Sequence, residues 1–297
     1  MKSYGQYLSS IFPDFKVQKI SIDAGFTCPN RDGTISKGGC TYCRNDSFSP
    51  SYCNSSLSIT RQLEEGKKFF ARKYPLMKYL AYFQRYTGTY SETVNHLEKL
   101  YREALDVDDI VGLVIGTRPD CLSKEIISLL KTINTKNPVF IEIGAETSHN
   151  ETLHFINRNH KWEDVVKAVD YTSKAGLHTG LHLICGLPGE TEEMVLQTIY
   201  KTASLPIETL KIHHLQILYG TPLFYQWEKN ELQLLDFTPE NYLEICKKII
   251  KIIPDNIVIE RFLSQSPQQL VAYPKWGLKN YQFMTKLVSL NNTKMSL

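Results

Sequence analysis

Apolar residues along this chain fall into short runs, separated by longer stretches in which they recur at helical spacing. Lys16 to Ile22 (KVQKISI) predicts a first strand that runs into a cysteine-bearing loop. Thr60 to Tyr74 carries apolar residues every three to four positions and predicts a helix. The aromatic, β-prone Tyr79 to Gln84 predicts strand two, and Glu92 to Leu105 a helix capped by Ser91. The same alternation continues through a strand at Ile110 to Ile115, a helix at Lys124 to Ile133 and a strand at Val139 to Ile143. A helix at Trp162 to Ala175, closed by Gly176, precedes a strand at Leu181 to Cys185. Glu192 to Ser204 then reads as a helix and Leu210 to Ile217 as strand six. Beyond residue 230 the pattern gives one helix (Pro239 to Ile253), one strand (Asn256 to Phe262) and a polar, aromatic tail.

Strands alternating with helices imply parallel βαβ units, and several apolar runs suit a sheet covered on both faces. Such repeats build an open doubly wound sheet or a barrel-like one, with function at the C-terminal ends of the strands. No Gly-rich dinucleotide fingerprint follows strand one, where the three-cysteine loop sits instead. The expectation is an α/β fold, a partial (β/α)6 TIM-like barrel over residues 1–225. Residues 226–297 form a C-terminal α/β extension packed on that core.

Composition changes this picture little. The 297 residues are 42% hydrophobic and 22% charged, as in ordinary globular chains. No apolar run is long enough for a membrane span, and the N-terminus lacks the apolar core of a signal peptide, so a cytoplasmic location is expected. A net charge of +3 does not by itself imply nucleic acid. In a cytoplasmic chain the seven cysteines read as ligands or core fillers rather than disulfides.

Three of those cysteines carry the candidate chemistry. Cys28 precedes Cys40-Thr-Tyr-Cys43 within one Gly- and Pro-rich loop. Three thiolates can hold three irons of a [4Fe–4S] cluster and leave the fourth open. They could equally join Cys53 in a four-cysteine zinc site. Spacing alone leaves both readings open.

The loop, with aromatic Tyr42 beside Cys43, resembles the cluster loop of the radical SAM superfamily. Leu181-His-Leu-Ile-Cys-Gly-Leu-Pro-Gly-Glu190 resembles that superfamily's adenosine-side strand, and Glu142-Ile-Gly-Ala-Glu-Thr147 with Ile156-Asn-Arg158 is similar to segments of its Elongator-type and coproporphyrinogen-type branches. Cys28-Pro-Asn-Arg-Asp-Gly33, Gly116-Thr-Arg-Pro-Asp-Cys121, Gly220-Thr-Pro-Leu223 and the Trp276 to Lys279 tail resemble the YhcC/YtqA-type subfamily. The resemblance implies that Cys28, Cys40 and Cys43 hold a [4Fe–4S] cluster. It also implies that S-adenosylmethionine (SAM) binds the open iron and is reductively cleaved to a 5′-deoxyadenosyl radical.

Within that reading Arg158 pairs with the SAM carboxylate, Glu146 meets its amino group or ribose, and His182 its ribose. Tyr42 and Gly186 lie near the adenine, Glu190 caps the next helix, and Gln84 and Arg118 contact substrate. One of His213 and His214 faces inward. The subfamily points to tRNA modification at the wobble uridine side chain, with a low-potential donor such as flavodoxin or ferredoxin. Lys67, Lys68, Arg72 and Lys73, then Lys247, Lys248 and Lys251, are candidate phosphate contacts, and some of the 17 tyrosines are candidate base platforms. The alternatives are a radical SAM enzyme acting on a small metabolite or protein partner, and a zinc-stabilised binding protein.

Overall fold

The computed structural model describes residues 2–71 and 76–293. Seven parallel strands curl into a half-barrel in the order β1 to β6 and then β8. They are β1 (Val17–Ile22), β2 (Lys78–Phe83), β3 (Ile110–Thr117), β4 (Val139–Glu146), β5 (His178–Cys185), β6 (Thr209–His214) and β8 (Val258–Arg261). Six are the expected core strands, and the seventh comes from the C-terminal segment and pairs with β6.

Helices α2 (Ile59–Ala71), α3 (Val94–Leu105), α4 (Lys124–Asn134), α6 (Trp162–Lys174) and α7 (Glu192–Ala203) each connect one strand to the next. Their apolar faces meet the outward residues of the strands, such as Ile20, Ala81, Leu113, Ile141, Leu181 and Ile212, in one continuous core. Short α5 (Asn150–Phe155) interrupts the connection after β4 and delivers the Ile156-Asn157-Arg158 segment back toward the strand ends. The predicted end of α2 near Tyr74 lies outside the described residues.

Several boundaries differ for local reasons. Helix α3 starts at Val94, not Glu92, because Thr93 rather than Ser91 accepts a hydrogen bond from the His96 amide at 3.2 Å. Strand β6 ends at His214; the chain then turns and forms β7 (Ile217–Leu218), antiparallel to β9 (Val271–Tyr273). Helices α8 (Pro222–Glu228) and α9 (Pro239–Ile252) follow, and the expected tail is instead β9 and α10 (Asn280–Thr293). An N-terminal helix, α1 (Tyr4–Ile11), opens on a capping box: Ser3 N–H donates to Gln6 Oε1 at 2.8 Å, and Gln6 N–H donates to Ser3 Oγ at 3.2 Å.

Helix α1 matters because Tyr7, Leu8 and Phe12 pack on Leu80, Val114, Phe140 and Val258, which face the opposite side of the sheet from the main core. This second cluster closes the lower end of the half-barrel. The C-terminal ends of the strands open onto a cavity. No helix among the described residues is long and apolar enough to cross a membrane.

Candidate active site

Strand β1 delivers Cys28 to the open end through a short turn, and the loop from Cys28 to Cys43 folds on itself by backbone bonds. Arg31 N–H donates to Cys28 O at 2.8 Å, Gly39 N–H to Asn30 O at 2.8 Å, and Cys43 N–H to Cys40 O at 3.0 Å. Asn157 clamps it from the segment after α5, with its Nδ2 donating to Gly39 O at 2.8 Å and its Oδ1 accepting from Ser36 Oγ at 3.0 Å. Thr41 N–H also donates to Ile156 O at 3.0 Å.

Cys28, Cys40 and Cys43 line one cavity of about 280 Å³. Amide donors reach two of the sulfurs: Asn45 Nδ2 lies 3.2 Å from Cys43 Sγ and Asn30 Nδ2 lies 3.6 Å from Cys40 Sγ. Burial pushes the Cys43 thiol up to about 12, and neighbouring Cys40 adds to the shift while Arg158 opposes it. The Cys43 thiolate is therefore disfavoured unless a cation sits beside it. Among the described residues no three His, Cys, Asp or Glu side chains close on a single-ion site. Cys53 lines a separate cavity with Asp23 and Arg85, which removes the fourth ligand of the zinc reading.

Beside the thiols stands a charged fork. Arg158 is buried; its Nη2 donates to Gly144 O at 2.8 Å and lies 3.2 Å from Glu146 Oε1, while its Nη1 sits 3.8 Å from Cys40 Sγ. Glu146 has φ +63°, the left-handed region, at an irregularity in the β4–β5 register that turns its carboxylate toward Arg158. Gly144 makes room for the fork, because a Cβ there would stand 2.5 Å from Arg158 Nη2. Tyr42, Glu146, Arg158, His182 and Gln84 all line the cavity with the cysteines.

The Glu190 expectation is corrected, and Gly186 and Arg118 each meet a protein partner. Gly186 has φ +83°, and a Cβ there would lie 1.7 Å from the Phe237 ring, so its bare backbone makes room for the C-terminal segment. Glu190 does not cap α7, whose N-cap is Thr191; it is buried and accepts from Thr147 Oγ1 at 2.5 Å. Arg118 is 1% exposed, pairs with Asp120 at 2.7 Å and donates to Arg158 O at 2.9 Å. It braces the Arg158 loop through that carbonyl, while its Nη1 is buried without a hydrogen-bond partner.

Below the fork, the lumen holds a network that sequence reasoning missed. Glu142 on β4 receives Lys19 from β1 at 2.6 Å, Lys211 from β6 at 2.8 Å and the Tyr82 hydroxyl from β2 at 2.5 Å. His182 Nε2 on β5 is 2.9 Å from the same carboxylate, and Glu260 on β8 pairs with Lys19 at 2.9 Å and Lys211 at 3.4 Å. Burial opposes the Glu142 charge, but Lys19 and Lys211 outweigh it and hold the carboxyl well below its usual range. Burial also brings Lys211 down to about 8, against the pull of Glu142 and Glu260. The available signal was a charge inside short, β-prone strands: Lys19 in VQKISI, Glu142 in VFIEIGAE, Lys211 in TLKIHH and Glu260 in VIER. His213 and His214 both line the cavity, although alternation predicts that only one faces inward, because β6 ends there.

Residues 28–200 match the Radical SAM superfamily, and residues 207–290 match the Radical_SAM C-terminal domain. The chain belongs to the radical SAM superfamily. It is similar to the uncharacterized protein YtqA of Bacillus subtilis, 34% identical over 269 residues, covering 91% of this chain and 83% of that one. Similarity to protein YhcC of Escherichia coli is also 34%, over 92% of this chain and 86% of that protein. A tRNA uridine(34) acetyltransferase of Methanocaldococcus jannaschii is 31% identical over 165 residues, which cover 54% of this chain and 29% of the acetyltransferase. Among solved structures, archaeal Elp3 of Methanocaldococcus infernus shares the fold with a TM-score of 0.65 at 18% identity, over 94% of this chain and 63% of that structure. This chain thus spans less than two thirds of that solved chain.

Members of this enzyme superfamily bind a [4Fe–4S] cluster and SAM. The donor set here fits that pair. Three cysteines line one cavity, and the arginine–carboxylate pair beside them carries charges complementary to those of an amino acid.

Proposed function

We propose that this radical SAM enzyme modifies the side group of wobble uridine in tRNA. The observation that carries the substrate reading is the likeness to tRNA uridine(34) acetyltransferases, which extends over 54% of this chain. The cavity mouth supports it. Arg31 lies over the Tyr86 ring at 5.0 Å and both line the cavity, a pairing of cation and aromatic face suited to phosphate and base.

In this reading Cys28, Cys40 and Cys43 hold the cluster, and Arg158 and Glu146 receive the carboxylate and amino groups of SAM. His182, oriented by Glu142, meets the ribose, and Tyr42 covers the adenine side. The bound pair supplies reductive cleavage of SAM to a 5′-deoxyadenosyl radical that abstracts hydrogen. The protein orients both partners and excludes water. Gln84, which accepts from Ser21 Oγ at 2.7 Å, and the lumen face of Tyr82 and Lys211 lie where substrate would enter. A low-potential donor such as flavodoxin or ferredoxin and a cytoplasmic location belong to the same reading. So does a core over residues 1–225 with residues 226–297 packed on it.

The helix lysines do not add to this. Lys67 pairs with Glu64 at 3.2 Å, Lys68 with Glu65 at 3.1 Å, Lys247 with Glu244 at 2.6 Å, and Lys248 with Glu192. Arg72 and Lys73 lie outside the described residues. Nucleoside mass spectrometry of tRNA from cells with and without this gene tests the proposal. A change confined to the wobble uridine is expected. Identical wobble nucleosides in the two strains would overturn it.

A further inference from the structure

A second, larger cavity of about 820 Å³ opens beside the first. The two share a wall made by Ser47, Phe48, His214, Gln216 and residues 264–266. Its far side is built by the C-terminal segment: the loop before β9, and residues 274–279 after it. Its size falls within the range of about 300–1,000 Å³ typical of ligand sites.

The lining of this cavity is chemically unlike that of the first. No Asp or Glu lines it, and its cations are Lys275 and Lys279. The remaining polar groups are mostly serine hydroxyls and glutamine amides. Trp276 is fixed by donation from its Nε1 to Phe237 O at 3.0 Å and stacks on His214 at 4.4 Å with planes 12° apart. His214 Nδ1 accepts from the Ser264 amide at 3.1 Å, so the neutral ring carries its proton on Nε2. Gln216 stands in the shared wall with Oε1 buried and without a hydrogen-bond partner.

An amine ligand would want a carboxylate, and an apolar one would leave the glutamines unpaired. Neutral amides and hydroxyls suit the N–H and C=O edges of a nucleobase, and an aromatic surface suits its face. Two ammonium groups without a competing acid suit a phosphate. We propose that this cavity seats one nucleotide of an RNA strand, adjoining the nucleotide whose side group enters the first cavity. The base places an N–H on Gln216 Oε1 and its phosphate meets Lys275 and Lys279. This rests on the RNA reading of the active site.

The test uses the full-length, cluster-loaded protein and a synthetic anticodon stem-loop hairpin carrying 4-thiouridine beside the wobble position. Ultraviolet cross-links mapped by peptide mass spectrometry should fall in residues 264–279 or at 214–216. The salt dependence of hairpin binding should weaken by a slope of about 1.4 in the Lys275→Ala/Lys279→Ala variant, as loss of two phosphate contacts to a single strand requires. Lys68→Ala, on α2, should leave the slope unchanged. A hairpin that binds but cross-links elsewhere, with an unchanged slope in the double variant, overturns the second cavity and leaves the RNA reading standing. A wild-type protein that binds no hairpin overturns both.

Discussion

Gly144→Ala isolates the fork from the rest of the site. The new methyl would stand 2.5 Å from Arg158 Nη2 and 2.8 Å from Glu146 Oε1, where ordinary contact begins at 3.4 Å. Both groups must retreat by roughly half an ångström or more. Each is the end of a flexible side chain, so the fold should survive with a loss of about 1–3 kcal/mol. The fork should not survive. Arg158 would give up or bend its bond to Gly144 O, now 2.8 Å, and its alignment with Glu146. Loss of one charge-assisted hydrogen bond to the SAM carboxylate costs about 1.5–3 kcal/mol, or about 10- to 150-fold in affinity. The assay is equilibrium dialysis with labelled SAM on protein whose iron content has been measured. The expected result is wild-type iron with SAM affinity lowered at least tenfold. A folded variant with wild-type iron whose SAM affinity stays within twofold of wild type would refute the assignment of Arg158 and Glu146.

Gly186→Ala should act differently: its methyl overlaps the Phe237 ring from a backbone at φ +83°, so urea titration should show a stability loss of at least about 2 kcal/mol. Burial raises Glu190 to about 7, so the folded state holds a proton that the unfolded state releases near 4.5. The stability this proton supplies is present below about pH 4.5 and fades as pH rises through 7, by about 3 kcal/mol at most. Urea midpoints across that window should flatten in Glu190→Gln. Asn45→Leu removes the amide 3.2 Å from Cys43 Sγ and should lower the cluster midpoint potential in a spectroelectrochemical titration. An unchanged potential would count against that hydrogen bond reaching the cluster.

The half-barrel was legible because each helix between core strands kept a clean apolar period and the buried strands were apolar. The cysteine loop was legible because Gly and Pro at fixed offsets mark a wrap around something compact. What escaped were pairings between distant segments. Nothing local in Lys19, Glu142, Lys211 or Glu260 says that four strands bring them to one point, although a charge inside a short, β-prone strand is a usable warning. No residue near Arg118 in sequence announces that Asp120 and the Arg158 carbonyl hold its Nε and Nη2 and leave Nη1 buried without a partner. The motif around Gly186 does not announce Phe237, and only the fold puts that ring against the glycine. Strand β9 and helix α10 were missed because the tail mixes aromatic and polar residues without a period.

The most direct test of the account is anaerobic. The full chain is loaded with iron and sulfide, reduced with dithionite and supplied with SAM, and 5′-deoxyadenosine is measured by mass spectrometry in wild type and in Cys28→Ala, Cys40→Ala, Cys43→Ala and Cys53→Ala. The account predicts about four irons and 5′-deoxyadenosine in wild type and Cys53→Ala, and neither in the other three variants. Zinc without a chromophore, no SAM cleavage, or a metal content that depends on Cys53 would contradict it.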